Sequence, residues 1–227
     1  MRSGSTACGG SFAVIGREGN LNDLVMTGYD KKEGYMGGGI ILTKLTFDGD
    51  IQDGRMWTWY DGQDPDTGDT YFGWYDDDGV EGYEEPLALG EGVWLQAPDE
   101  TFKIQSAGEV YNQELPVQLR SGSTLVANPC PVDTLNLNDA KITGYDKKEG
   151  YMGGGVILTK LTFDGDIQDG RMWTWYDGQD PDTGDTYYGW YDDDGVEGTE
   201  ESMGFGEGLW VQAPDETFYV QFPTVIK

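Results

Sequence analysis

ILTKLTF, residues Ile41–Phe47, and MWTWYDG, residues Met56–Gly62, decide the fold. In the first, Ile41, Thr43, Leu45 and Phe47 alternate with Leu42, Lys44 and Thr46, the period of two that belongs to a strand with two different faces. In the second, β-prone residues fill five positions and stop at Asp61-Gly62, a turn signal. Working outward, Tyr71–Tyr75 is another aromatic strand, closed by Asp76-Asp77-Asp78-Gly79. Val93–Gln96 halts at Pro98, and Thr101–Gln105 alternates Phe102 and Ile104 with polar residues. Short β-rich runs broken by Gly, Asp and Pro about every eight to twelve residues predict an all-β sandwich or barrel. No helical period outlasts about two turns. The one helical turn expected starts at Asn20 and again at Asn136, where NLND supplies its own cap.

The pattern occurs twice. At an offset of 116, Thr27–Gly82 and Thr143–Gly198 differ at two positions, Ile40/Val156 and Phe72/Tyr188. GEGVWLQAPDETF at Gly90–Phe102 returns as GEGLWVQAPDETF at Gly206–Phe218. RSGST at Arg2–Thr6 returns at Arg120–Thr124 with a two-residue slip. The 227 residues therefore divide into two β-sandwich-like domains, 1–108 and 109–227. The join is not a flexible linker. Leu115, Val117 and Leu119 alternate with Pro116, Gln118 and Arg120, so 109–120 reads as the leading strand of the second domain, with proline marking an edge.

The two ends of the chain suggest assembly. LPVQLR precedes the second RSGST, the first RSGST begins at residue 2, and FPTVIK closes the chain. FPTVIK shares the pattern of LPVQLR, so 221–227 is expected to be a terminal strand free to be donated. Phe222, Pro223, Val225 and Ile226 would be its anchors, filling beside Arg2 and Ser3 of another copy the place that Leu115, Val117 and Leu119 fill within the chain.

Forty-two acidic against fourteen basic residues give a formal charge of −28. Such a polyanion repels phosphate backbones and acidic lipid, which excludes nucleic acid as a partner. No apolar run approaches the roughly 18–20 residues that span a bilayer, and the N-terminus has no signal-peptide core. An exported chain would thus start after a leader already removed. Cys8 and Cys130 have no metal-ligand spacing; a bridge between the repeats, a bridge between chains and two free thiols are all allowed.

Three chemistries compete for the polar and aromatic residues. The loop DPDTGD offers clustered oxygens to calcium from Asp64, Asp66 and Asp69, and in the second copy from Asp180, Asp182 and Asp185, although it departs from the EF-hand pattern. The competing explanation is that Asp and Gly favour turns. The abundant carboxylates single out no catalytic pair. There is no histidine to serve as a base, so the chain reads as a non-enzyme. Trp57, Trp59 and Trp74, with Trp173, Trp175 and Trp190, could stack on sugar rings if their face of the sheet is exposed; otherwise they fill a core.

SGSTLVANPCPVDTLNLNDAKI, followed by TWYDG, GWYDDDG, GEGLWVQAP and an AGEV-type strand, resembles uncharacterised β-rich repeats found towards the ends of large secreted or surface bacterial proteins. The resemblance covers nearly all of each repeat and implies a location at or outside the cell surface and a β architecture, without chemistry. The first copy departs from it, since SFAVIGREGNLND replaces TLVANPCPVDTLNLND. Together these readings lead to an extracellular structural protein that self-assembles head to tail by strand complementation into a filament or surface layer. The alternative is a tandem carbohydrate-binding module acting on polysaccharide.

Overall fold

The alternation at Ile41–Phe47 forms one arm of a long hairpin. The computed structural model describes residues 19–28, 37–48, 51–96, 103–106, 114–130, 135–145, 153–164, 167–214 and 217–223. The first repeat carries β1 (Gly19–Asn20), β2 (Leu24–Thr27), β3 (Gly37–Asp48), β4 (Ile51–Gln63), β5 (Thr70–Asp76), β6 (Pro86–Leu87), β7 (Trp94–Gln96) and β8 (Lys103–Ser106). The second carries β9 (Leu115–Gln118), β10 (Gly122–Ala127), β11 (Leu135–Asn136), β12 (Lys141–Thr143), β13 (Gly153–Asp164), β14 (Ile167–Gln179), β15 (Thr186–Tyr191), β16 (Ser202–Met203), β17 (Gly208–Ala213) and β18 (Tyr219–Phe222). Helical structure among the described residues is confined to 3-10 turns, so the chain is all-β.

β3 and β4 pair antiparallel from Ile41–Thr58 to Asp48–Ile51. The strands therefore run on through the acidic residues that flank the hairpin's tip. β5 and β7 complete a sheet ordered β5-β4-β3-β7, and the second repeat builds β15-β14-β13-β17 with β10 added beyond β17. Smaller sheets flank these: β2-β8 in the first repeat and β12-β18-β9 in the second, with the short pairs β1-β6 and β11-β16.

The face of β3 that turns inward carries Ile40, Leu42 and Lys44, while Ile41, Thr43 and Leu45 are half-buried on the other face. Opposite them Trp57 and Trp59 of β4 and Trp74 of β5 are buried. The buried residues form two clusters. One runs from Leu21 to Leu95; the other runs from Leu115 to Phe222 and also takes Leu89 of the first repeat against it.

The NLND turns form as expected. Asn20 Oδ1 accepts from the Asn22 N–H at 3.0 Å while Asp23 accepts from the Asn20 N–H at 2.8 Å, and Asn136–Asp139 repeats the arrangement. Each turn is pinned to its sheet. Asn22 Oδ1 accepts from the Trp74 N–H at 2.8 Å, and a Cβ on Gly73, whose φ is +127°, would lie 2.7 Å from that oxygen. Glycine at this position is thus required both by backbone conformation and by space.

Candidate functional site

The sequence after β6 doubles back through Ala88-Leu89-Gly90-Glu91-Gly92, and a glycine, a glutamate and a lysine fix that turn. Gly90 adopts φ +79°, a conformation that costs glycine little. Glu91 Oε2 accepts the Ala88 N–H at 2.9 Å, and its other oxygen lies 3.3 Å from Lys44 Nζ. Lys44 also pairs with Glu85 at 2.8 Å and donates to the Pro86 carbonyl. The second repeat reproduces the unit. Gly206 has φ +70°, Glu207 accepts the Gly204 N–H at 2.8 Å, and Lys160 meets Glu207 at 3.0 Å, Glu201 at 2.6 Å and the Ser202 carbonyl at 2.6 Å. Burial works against the Lys160 charge, but its hydrogen bonds to Glu201 and Glu207 outweigh it and raise the pKa, so the ammonium stays charged at neutral pH. Beside this cluster Arg55 donates to Asp76 and lies 4.5 Å over the Trp57 ring; Arg171, Asp192 and Trp173 repeat the pattern.

The first of these turns holds the second repeat. Gly92 N donates to the Leu125 carbonyl at 3.0 Å and Ala127 N to the Gly90 carbonyl at 3.0 Å, on either side of an antiparallel bridge between Glu91 and Val126. The outer edge of β10 is therefore bonded to the first repeat while its inner edge pairs with β17. The approach is close, since a Cβ on Gly90 would stand 2.5 Å from Val117 Cγ2. A cleft lined by Leu45, Leu89, Glu91, Val117, Arg120 and Leu125 runs along the join.

The strands β8 and β18 are equivalent but differ in their pairing. β18 lies between β12 and β9, whereas β8, among the described residues, pairs with β2 alone. The same geometry corrects the expectation that Phe222 is a spare anchor. Phe222 is fully buried in the second repeat and faces Leu115 across the ladder, with Gln221 opposite Pro116. The ladder pairs LPVQ with Tyr219–Phe222, so of FPTVIK it includes Phe222, which supplies an apolar side chain to the same core as Leu115. At the offset of 116 the true counterpart of Phe222 is Ser106. Pro223 is tied to its own repeat as well, its carbonyl accepting from Cys130 Sγ at 3.5 Å. Leu115 and Leu119 are buried and Val117 is half-buried, anchoring β9 within the chain. Arg2, Ser3, Val225 and Ile226 lie outside the described residues.

Asp64 spends its carboxylate on its own loop. Oδ1 accepts the Asp66 N–H at 2.8 Å and the Thr67 N–H at 3.3 Å, the Gly68 N–H bonds to the Asp64 carbonyl at 2.8 Å, and Gln63 closes the turn onto the Gly68 carbonyl at 2.6 Å. Asp180 repeats this. Among the described residues no group of three or more acidic or cysteine side chains is placed to hold a metal ion, so Asp64, Asp66 and Asp69, like Asp180, Asp182 and Asp185, are not brought together as a cage. Turn chemistry accounts for the loop.

These hydrogen bonds set the response to acid. The Asp66 N–H holds the Asp64 carboxyl below the usual carboxylate range, and the Asp182 N–H does so for Asp180. For Asp76 and Asp192 burial opposes the charge, but the Arg55 and Arg171 hydrogen bonds outweigh it and again lower the pKa. A carboxyl with a depressed folded pKa stabilises the fold above its unfolded value, about 4, and that contribution is lost as the pH falls through the folded value. The melting temperature is therefore expected to drop as the pH goes below about 4, and a melting temperature flat from pH 5 to pH 2 would contradict these assignments.

All six tryptophans proposed to stack on sugars are buried, at 0–1% exposure, which corrects that assignment. Their alternation along β4 and β14 points them at the core, where Trp59 and Trp74 meet edge to face at 5.4 Å and Trp175 and Trp190 at 5.4 Å. The opposite face carries the half-buried Trp94 and Trp210 on β7 and β17 and, on β4, β5, β14 and β15, tyrosines. Tyr60, Tyr71 and Tyr75 contact one another at 5.4–6.1 Å, as do Tyr176, Tyr187 and Tyr191, with Met56 and Met172 about half exposed on the same strands.

Cys130 is a free, buried thiol, and Cys8 lies outside the described residues. Burial, with Asp139 adding to it, pushes the Cys130 thiol up to about 11. In a Cys8→Ser variant, labelling by a thiol reagent at pH 8 should be slower than in urea by on the order of 100-fold or more. Equal rates would place the thiol at the surface.

Compared with known proteins, the chain matches no family model, no curated protein and no solved structure. No helix among the described residues is long and apolar enough to cross a membrane.

Proposed function

We propose that the chain is an extracellular structural protein of two tandem β-sandwich-like units that assembles head to tail with further copies of itself by strand complementation, without catalysis. The observation that carries this reading is that, among the described residues, β8 has one neighbouring strand where β18 has two. An edge strand offers backbone donors and acceptors to an incoming strand. The kind of strand that fits is given by β9, which covers β18 and buries Leu115 while turning Pro116 and Gln118 outward. A contact between two different ends of a molecule propagates rather than closes. The charge of −28 opposes association, so it should strengthen with salt.

Sedimentation velocity over a range of protein concentrations, in about 0.5 M salt, tests this. The expected result is a mass that grows with concentration and returns to monomer when a peptide of sequence Glu114–Arg120 is added. A monomer at every concentration, with no binding of the peptide, removes the reading.

Polysaccharide binding is the second reading. It is favoured by the tyrosine triads rather than by the tryptophans. Under it, Tyr71→Ala combined with Tyr187→Ala abolishes retention on insoluble polysaccharide and leaves the fold intact.

A further inference from the structure

The chain contains two copies of one turn. Among the described residues the first is bonded by the following repeat through Gly90 O and Gly92 N, whereas the second is bonded only from within its own repeat, by Asn128 through Gly206 N and Glu207 O. Leu89-Gly90-Glu91-Gly92 and Phe205-Gly206-Glu207-Gly208 share the positive-φ glycine, the glutamate bonded to a backbone N–H three residues earlier, and the lysine beneath it. In the first turn Gly90 and Gly92 bond to β10, and Leu89 packs against the core of the second repeat. In the second turn the residue at the place of Leu89 is Phe205, and it stands 43% exposed. A phenylalanine held out on a turn of this rigidity presents a large apolar side chain at little entropic cost to binding.

We infer that the Phe205–Gly208 turn is the docking site for a second copy of this chain, seated as the second repeat is seated on Leu89–Gly92. The argument is continuity with a junction the molecule already makes: the same turn, held by the same ion pair, has a known occupant one repeat earlier. The second copy engages through its first repeat, because the outer edge of its β10 is already bonded to its own Gly90 and Gly92. This inference rests on the head-to-tail reading and adds the surface through which it acts.

The test places a photo-crosslinking amino acid at Phe205 in the full chain and maps the cross-links at a concentration where the unmodified chain sediments above monomer mass. Cross-links from Phe205 to the first repeat of another copy are expected. Phe205→Asp should weaken association at least tenfold without changing the far-ultraviolet spectrum or melting temperature, and Phe205→Leu, which restores the residue of the first turn, should recover most of it. Association that persists unchanged in Phe205→Asp, with cross-links confined to the same copy, overturns the inference and leaves head-to-tail assembly standing through another surface. A chain that stays monomeric at every concentration overturns both.

Discussion

Trp190→Ala is expected to destabilise the second repeat by about 3–5 kcal/mol. The side chain is fully buried, its ring meets Trp175 edge to face, and its indole N–H donates to the Ala140 carbonyl at 2.7 Å. Truncation would remove the largest kind of apolar surface from a packed interior and leave that carbonyl without its donor, so transfer, cavity and hydrogen-bond losses act in the same direction. Trp74→Ala should do the same to the first repeat, where Trp74 donates to the Leu24 carbonyl at 2.7 Å. Because the two tryptophans sit in separate clusters, the two losses should add within about 0.5 kcal/mol in urea unfolding. A loss under about 1 kcal/mol in either variant would mean an exposed ring, as sugar stacking through these residues requires.

Lys160→Met is expected to cost about 2–4 kcal/mol, somewhat below the figure for breaking a fully buried pair because Glu201 and Glu207 keep some solvent. The lysine lies on the inward face of β13 with Val156 and Leu158, and it is tolerated there because two carboxylates and the Ser202 carbonyl surround its ammonium. The methionine would fit the stem's space but leave two carboxylates facing each other. Adding Glu207→Gln removes one of those charges and should recover part of the loss in the same urea measurement. A full cost in both variants would assign the effect to packing alone.

The β character of the chain could be read from Ile41–Phe47 and Met56–Tyr60 because a period of two and β-prone side chains act locally. The NLND turn was equally legible, since Asn20 and Asp23 bond to backbone within three residues. What alternation cannot give is which face meets the core when both faces carry apolar residues. Lys44 shares the inward face with Ile40 and Leu42, and the acids that neutralise it there, Glu85 and Glu91, come more than forty positions later. One signal was present. Beyond Gly82 the two repeats diverge, yet Glu85 and Glu91 persist as Glu201 and Glu207. The tryptophans posed the same problem of facing, and the structure turns them inward.

The proposed assembly surface was harder to read. The likeness of LPVQLR to FPTVIK suggested interchangeable strands, but the ladder sets Phe222 opposite Leu115, so that residue is already seated within the chain. The difference between β8 and β18 arises from pairings between residues about a hundred positions apart, which no local pattern records. The turn proposed for docking lies in the repeated GEG, but what lies against it is set by the join between repeats.

Hydrogen exchange measured across a concentration series tests the central claim most directly. Amides of Tyr219–Phe222, bonded on both sides within the chain, should exchange slowly at every concentration. Amides of Lys103–Ser106 should exchange faster in the dilute monomer and slow down as the chain associates. Protection at Lys103–Ser106 that equals that of Tyr219–Phe222 in the monomer, or that stays unchanged while the mass grows, would contradict the account.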